Sequence, residues 1–96
     1  MRVHWTESAL ADLRVVETTI ARHSPRYAQA MVERIFSRSE GLQTLPRLGP
    51  IVPEYEEESI RELFESPFRI IYRIIDEEQV DIIAVVHAAR RLPLVD

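Results

Sequence analysis

The sequence predicts an α+β fold in one domain that spans residues 1–96. In the first half of the chain, apolar residues recur at steps of three and four, as on one face of a helix. In the second half they alternate or form continuous runs, as in strands, and a stretch rich in proline and glutamate separates the halves. A chain of this length buries roughly two-thirds of its unfolded surface, enough for one core. We therefore expect a helix hairpin packed on one face of a small antiparallel sheet, in the order β-α-α-β-β-β.

The N-terminal segment predicts an edge strand followed by a helix. Arg2 to Trp5 forms the strand, and Thr6 is a typical N-cap with Glu7 in the first turn, where the helix dipole favours a carboxylate. The helix is expected to end near Arg22 and His23. Its inward stripe is Leu10, Leu13, Val16 or Glu17, and Ile20, with Asp12, Arg14 and Thr18 on the outside.

Ser24 and Pro25 predict the start of a second helix, because serine can cap it and proline is well suited to its first position. Its apolar stripe is Ala28, Met31, Val32, Ile35, Leu42 and Leu45. Gly41 weakens the helix by about 1 kcal/mol relative to alanine, and Pro46 is expected to end it. The short connection between the helices makes them fold back as an antiparallel hairpin.

The remaining segments predict a loop, three antiparallel strands and an irregular end. Residues 46–58 carry three prolines and an acidic run, which disfavour both helix and central strand. The strands are expected at Ile60–Phe64, Phe68–Ile75 and Val80–Val86. Residues 87–96 form the irregular end, while Trp5, Met31 and Phe36 belong to the core.

Arginine supplies every basic side chain, since the chain has 12 arginines and no lysine. Arginine does not act as a general base, but it binds phosphate or carboxylate groups through paired hydrogen bonds. The formal net charge of -4 argues against a broadly basic nucleic-acid-binding protein. We expect no direct sequence-specific DNA binding by this chain alone.

Several classes of site are excluded by composition. The absence of cysteine excludes disulfides and thiolate metal sites. The two glycines cannot form a phosphate-binding loop, and the three histidines share no metal-ligand spacing, so we expect no cofactor and no metal. No apolar run approaches the ~20 residues of a transmembrane helix. The expected location is the bacterial cytoplasm, away from membranes.

Residues along most of the chain carry a family likeness. In the helical half they are Val3-His4-Trp5-Thr6 with Ala9 and Leu13, Ser24-Pro25 with Ala28, and Leu42 through Pro46 to Gly49. In the sheet half they are Ile60-Arg61-Glu62-Leu63, Phe68 to Ile74, and Val80 to Val86 running into His87-Ala88-Ala89-Arg90-Arg91. In this order and spacing the chain resembles the RelE/ParE superfamily, the toxins of type II toxin-antitoxin and plasmid-stabilisation systems.

The resemblance implies a toxin that a cognate antitoxin protein binds and blocks. The assembly implied is a toxin-antitoxin hetero-oligomer, with a homodimer of the free protein as the alternative. RelE-like members cut messenger RNA on the ribosome, and ParE-like members inhibit DNA gyrase. RelE-like enzymes resemble one another in placing lysines where Ile60 and Glu62 stand here.

The departure from the RelE-like pattern favours the ParE-like branch, a toxin that binds gyrase directly and has no catalytic residue. Two alternatives remain open. One is a ribosome-dependent endoribonuclease with Arg69 at the phosphate, His87 as acid or base, and Arg90 as a further catalytic residue. The other is a degenerate member that binds antitoxin without being toxic.

The candidate residues for contact with antitoxin or target are all arginines: Arg61, Arg69, Arg73, Arg90 and Arg91. Arg69 and Arg73 share one face of the predicted sheet, where they could instead pair with Glu62 or other acids. Charges that follow a last strand are often functional, which favours Arg90 and Arg91. His87 could titrate near neutral pH, or could simply form a hydrogen bond with the backbone.

Overall fold

The computed structural model describes residues 1–90 and 92. Its elements are β1 (Arg2–Trp5), α1 (Glu7–Ala21), α2 (Pro25–Glu40), a 3-10 turn (Gly41–Gln43), β2 (Ile60–Glu65), β3 (Phe68–Ile74) and β4 (Gln79–His87). This order confirms the predicted β-α-α-β-β-β arrangement. Each strand of the C-terminal half differs from its predicted bounds by one residue at one or both ends.

Both helices begin where their caps predict. The Thr6 hydroxyl accepts a hydrogen bond from the Ala9 N–H at 3.1 Å, and the Ser24 hydroxyl accepts one from the Tyr27 N–H at 3.1 Å. Pro25 occupies the first turn of α2. Each cap satisfies a backbone donor that has no partner within the helix.

The predicted continuation of the second helix to Pro46 is wrong. α2 ends at Glu40, and the chain tightens into the 3-10 turn that starts at Gly41. A 3-10 turn holds three residues rather than 3.6, so the apolar stripe changes phase. Leu42 is fully buried, whereas Leu45, predicted to lie on the same stripe, is 57% exposed.

The four strands form one sheet in the order β1-β4-β3-β2. β2, β3 and β4 are antiparallel, as predicted. β1 lies at the predicted edge but pairs with β4 in parallel, so the sheet is mixed rather than wholly antiparallel. The long connection between β1 and β4 permits this parallel pairing.

The sheet has a different core on each face. The helix-side core joins Ala9, Leu13 and Val16 of α1 and Met31 and Ile35 of α2 to one face of the strands. Trp5 and Phe36 pack against it with ring centroids 4.7 Å apart, which confirms the predicted core positions of Trp5, Phe36 and Met31.

The loop-side core lies on the opposite face and consists of Val52, Ile60, Ile71 and Leu92. Residues of the 46–58 loop and of the C-terminal segment therefore cover a face that the helices leave open. His87 was predicted as the first residue of the irregular end, but it is the last residue of β4. Residues 91 and 93–96 of that end lie outside the described residues. Within the described part of the chain, neither helix has the length and apolar character to span a bilayer.

Candidate functional site

Arg69 is a buried charged residue of the sheet. Its side chain is 8% exposed, and its guanidinium bonds to two carboxylates. Nε donates to Glu62 at 2.6 Å, while the two terminal nitrogens donate to the Glu54 oxygens at 2.7 and 2.8 Å. We call these three residues the Arg69 cluster. Of the two readings of Arg69 that the sequence left open, the structure displays internal pairing.

The electrostatics of the Arg69 cluster follow from this geometry. Hydrogen bonds from Arg69 hold the pKa of Glu54 at about 2, below its ordinary 4.5, against the opposing effect of burial. The same bonds raise the pKa of Arg69. Glu54 and Arg69 are therefore charged at neutral pH, and together with Glu62 they form a buried, hydrogen-bonded network.

The Arg69 cluster also holds the C-terminal segment. The Leu92 N–H donates to Glu54 at 3.2 Å, and the Leu92 side chain packs in the loop-side core. One carboxylate thus connects the acidic loop, β3 and the segment after β4. The sequence provided little indication that Glu54 would make these contacts, because the path of the 46–58 loop decides which glutamate reaches Arg69.

Arg61 makes its contacts within the protein as well. Its Nε donates to the Glu58 carbonyl at 2.9 Å and a terminal nitrogen donates to the Gly49 carbonyl at 3.0 Å. These bonds fasten both ends of the 46–58 loop to β2. The structure therefore engages Arg61, a predicted contact residue, in holding the loop.

Tyr72 and Gly49 complete the anchoring of the loop, and sequence reasoning missed both. The fully buried Tyr72 hydroxyl donates to the Pro46 carbonyl at 2.8 Å and accepts from the Gly49 N–H at 3.1 Å. Burial raises the pKa of Tyr72. A Cβ on Gly49 would lie 2.1 Å from the Glu62 carbonyl oxygen, so only glycine fits here.

Arg73 is exposed on the sheet face that the helices do not cover. Its register partner on β4 is Asp81, whose own partner on β1 is His4. The His4 Nδ1 lies 3.3 Å from an Asp81 carboxylate oxygen, and the Gln79 amide donates to that same oxygen at 2.6 Å. Arg73 does share a face with Arg69, as predicted, but it faces solvent.

His87 and Arg90 lie together at the C-terminal end of β4, where His87 pairs with Phe68, the first residue of β3. The His87 Nδ1 accepts a hydrogen bond from the Ala89 N–H at 3.1 Å, and its ring meets Phe68 edge-on with centroids 5.9 Å apart. This is the backbone bond that the simpler reading of His87 predicts. Arg90 is exposed, and its N–H closes a turn on the His87 carbonyl at 2.9 Å. Arg91, predicted beside it, lies outside the described residues.

Two grooves meet at this end of β4. The helix-side groove has a volume of about 370 Å³ and lies between α1 and the sheet, where Val15, Ile20, Phe68 and Val85 line it. The loop-side groove has a volume of about 610 Å³ and is lined by Tyr55, Ile71, Ile83, Ala84 and Leu92. Asp12, Val86 and Arg90 line both grooves. Their lining is mainly apolar, as expected of a binding surface.

The structure sorts the predicted site residues by their contacts. Across residues 1–90 and 92, no three histidine or carboxylate side chains come together as a metal site. The predicted arginines divide into two groups: Arg61 and Arg69 bond within the protein, and Arg73 and Arg90 are exposed. The structure does not bring Arg69 and His87 to one reactive point, because the Arg69 guanidinium points into the Arg69 cluster.

Comparison with known proteins identifies relatives over nearly the whole chain. Residues 3–92 match the family model described as the ParE toxin of the type II toxin-antitoxin system parDE. A Caulobacter vibrioides protein named Toxin RelE2 is 33% identical over 89 residues, which cover 93% of this chain and 97% of that protein.

Two solved structures share the fold. The chromosomal ParDE toxin-antitoxin system from P. aeruginosa superposes with a TM-score of 0.74 at 24% identity, covering 91% of this chain and 95% of the other. The toxin-antitoxin complex RelBE2 from Mycobacterium tuberculosis gives a TM-score of 0.56 at 30% identity, covering 88% and 94%.

Proposed function

The chain belongs to the ParE toxin family of type II toxin-antitoxin systems, and on that premise we propose that it inhibits DNA gyrase by direct binding and is neutralised by a cognate antitoxin. No residue of the toxin takes part in covalent chemistry in this proposal. Toxicity would instead depend on an exposed surface that includes Arg73 and Arg90.

The observation that carries the choice of binding over RNA cleavage is the Arg69 cluster. Arg69 occupies the position where the nuclease alternative requires a cation for phosphate. Its donors are already bonded to Glu54 and Glu62 at 2.6 to 2.8 Å. A phosphate brought to Arg69 would meet these two carboxylates, and the repulsion would be strong in a buried setting. Cleavage at this position is therefore disfavoured.

The exposed arginines support a protein target. Arginine is enriched among the residues that dominate binding energy at protein interfaces. Arg90 stands beside two mainly apolar grooves, so a target could bury apolar groups there and pair a carboxylate with the guanidinium. Arg91 remains a predicted contact on sequence grounds alone.

The grooves also support an antitoxin partner, and the two similar structures come from toxin-antitoxin systems. Val15, on the rim of the helix-side groove, is 65% exposed. An apolar groove with an exposed apolar residue on its rim is typical of an interaction site. A hetero-oligomer with antitoxin would cover it, and a homodimer is the alternative for the free protein.

One observation favours a second function, the cleavage of messenger RNA. His87 and Arg90 line the same groove, so an acid-base group and a cation for phosphate lie near each other. Ribosome-dependent cleavage of messenger RNA could use this pair without Arg69. His87→Ala would abolish toxicity by this route and would leave gyrase inhibition nearly unchanged.

The test uses purified, antitoxin-free protein with DNA gyrase and supercoiled plasmid, and it scores cleaved DNA trapped on the enzyme. The wild-type protein should cause cleaved DNA to accumulate, and Arg73→Ala with Arg90→Ala should reduce the accumulation by about tenfold or more, as expected for loss of interface arginines. Arg14→Ala, an exposed arginine on α1, is the matched control and should behave as wild type. A folded protein that arrests growth but leaves gyrase unaffected would contradict the proposal. If expression leaves growth unaffected while antitoxin still binds, the chain is the degenerate member.

A further inference from the structure

The exposed flank of α2 carries two arginines without acidic partners. Arg34 and Arg38 lie one turn apart and within about 40° of each other around the helix axis, and the exposed Ser37 lies beside them. No carboxylate among the described residues pairs with either guanidinium. Like charges at this spacing slightly destabilise a helix, so folding alone does not account for the pair. We call Tyr27, Arg34, Ser37 and Arg38 the arginine stripe.

Contacts within the protein position both arginine side chains. The Arg38 Nε donates to the Phe64 carbonyl at the outer edge of β2, at 3.1 Å. The Arg34 guanidinium lies over the Tyr27 ring, 5.7 Å from its centroid. Within the part of the chain that the structure describes, the terminal nitrogens of both arginines form no hydrogen bond. Each side chain therefore offers a fork of donors to a ligand and loses less freedom when it binds one.

The charge of this part of the chain differs from that of the whole. Residues 22–47 contain five arginines and two glutamates, a net charge of +3 in a chain of net charge -4. Those glutamates, Glu33 and Glu40, lie about 100–120° around the helix from Arg34, on the side away from Arg38. The chain is not broadly basic, but a local positive surface runs along α2.

The composition of the arginine stripe fits a phosphate backbone better than a protein surface. Arginine, serine and tyrosine side chains supply many of the phosphate contacts in protein–DNA complexes. A protein interface has an apolar centre, whereas every side chain of the stripe ends in a hydrogen-bond donor. From Tyr27 to Arg38 the helix rises about 16 Å, a length over which duplex DNA presents about ten phosphate charges.

We propose that the arginine stripe binds the phosphate backbone of the duplex DNA held by gyrase, while the surface around Arg73 and Arg90 binds the enzyme. The inference rests on the proposed function, because gyrase is what brings duplex DNA to the bound toxin. Phosphate contacts carry no sequence information, so the contact is compatible with the expected lack of sequence-specific DNA binding. It adds affinity for gyrase that carries DNA and leaves the affinity for the free enzyme unchanged.

The test measures the affinity of labelled toxin for gyrase alone and for gyrase saturated with a linear duplex DNA, by fluorescence anisotropy. DNA should tighten the binding of the wild type by about tenfold or more. Arg34→Ala with Arg38→Ala should lose this gain and bind DNA-free gyrase as the wild type does. Arg2→Ala with Arg14→Ala is the matched control, because it removes the same charge from exposed positions on β1 and α1, and it should keep the full gain.

Two further measurements identify phosphate as the ligand. For two phosphate contacts, a fourfold rise in salt should reduce the gain of the wild type by about tenfold. Arg34→Lys with Arg38→Lys should retain part of the gain, because lysine binds phosphate as a point charge.

Three outcomes would overturn the inference. If DNA gives the wild type no gain, or if the alanine variant keeps the full gain, the stripe does not contact DNA. If the alanine variant binds DNA-free gyrase more weakly than the wild type, the stripe contacts a protein surface instead. If the wild type binds neither form of gyrase, the proposed function fails, and the inference fails with it.

Discussion

The Arg69 guanidinium donates hydrogen bonds from all three of its nitrogens to carboxylates of the same chain. A buried charge is costly unless its partners compensate for lost water, and here Glu54 and Glu62 both do so. The pairing with Glu62 could be anticipated from strand alternation. The pairing with Glu54 could not, because it depends on a loop whose path has no periodic pattern.

Removing Arg69 should therefore destabilise the protein strongly. Arg69→Ala leaves two carboxylates without a counter-charge, and breaking a buried pair in this way costs about 3–5 kcal/mol. Arg73→Ala is the matched control on the same strand and face, and being exposed it should change the free energy of unfolding by less than about 0.5 kcal/mol. Urea unfolding measures both. Equal unfolding midpoints for the two variants would contradict the structural role of Arg69.

The depressed pKa of Glu54 predicts a specific acid sensitivity. Because Arg69 lowers this pKa from 4.5 to about 2, the ionised form stabilises the fold at pH values above about 4.5. That contribution is lost as pH falls from about 4.5 towards 2. Glu54→Gln lacks the titrating group. The difference in free energy of unfolding between wild type and this variant should therefore shrink as the pH falls from about 4.5 towards 2. A constant gap in thermal unfolding from pH 6 to pH 2.5 would show that Glu54 is not the group responsible.

At the scale of elements, the 46–58 loop is held at several points. Composition predicted a loop, and the absence of regular structure is largely confirmed, apart from an isolated bridge between Ile51 and Arg61. Composition did not predict that Tyr72, Arg61 and Glu54 would fasten the loop to the sheet. Those contacts join residues far apart in sequence, and local patterns carry little information about them.

Gly49 should be the least replaceable position of that loop. Gly49→Ala places a Cβ against the Glu62 backbone, which cannot move without disturbing β2, and overpacking of this kind costs about 1–3 kcal/mol or more. Gly41→Ala is the control, because its nearest neighbour would be a Leu48 methyl group at 3.7 Å and its φ is -59°. That change should stabilise the protein by up to about 1 kcal/mol. If both variants unfold at a lower temperature than wild type, or both at a higher one, this assignment is wrong.

Local sequence patterns predict some features of the sheet and helices and miss others. Caps, strand runs and the helix hairpin follow from local signals and are confirmed. The early end of α2 and the exposure of Leu45 depend on a change to 3-10 geometry at Gly41. Gly41 predicted a weaker helix at this point, but it did not predict the 3-10 turn. Asp12 was predicted to face solvent, yet it accepts the Val85 N–H, because the open edge of β4 lies beside α1.

At the scale of the whole molecule, the two sheet faces have different roles. The helices cover one face and build the main core, while the loop and Leu92 cover part of the other. The exposed end of β4 lies between these covers, beside both grooves and Arg90. Family and fold could be predicted from residue order across the chain. The contact surface could not, because exposure of each arginine depends on partners that only the folded protein brings together.

The central claim is that this toxin acts by occupying gyrase and not by catalysis. The most direct measurement titrates purified toxin against a fixed amount of gyrase and supercoiled plasmid and follows trapped cleaved DNA. We expect cleaved DNA to rise with the toxin-to-gyrase ratio and to level off as gyrase becomes saturated, with His87→Ala giving the same curve. Absence of cleaved DNA at toxin excess, together with multiple-turnover cutting of ribosome-bound messenger RNA that His87→Ala abolishes, would contradict the claim.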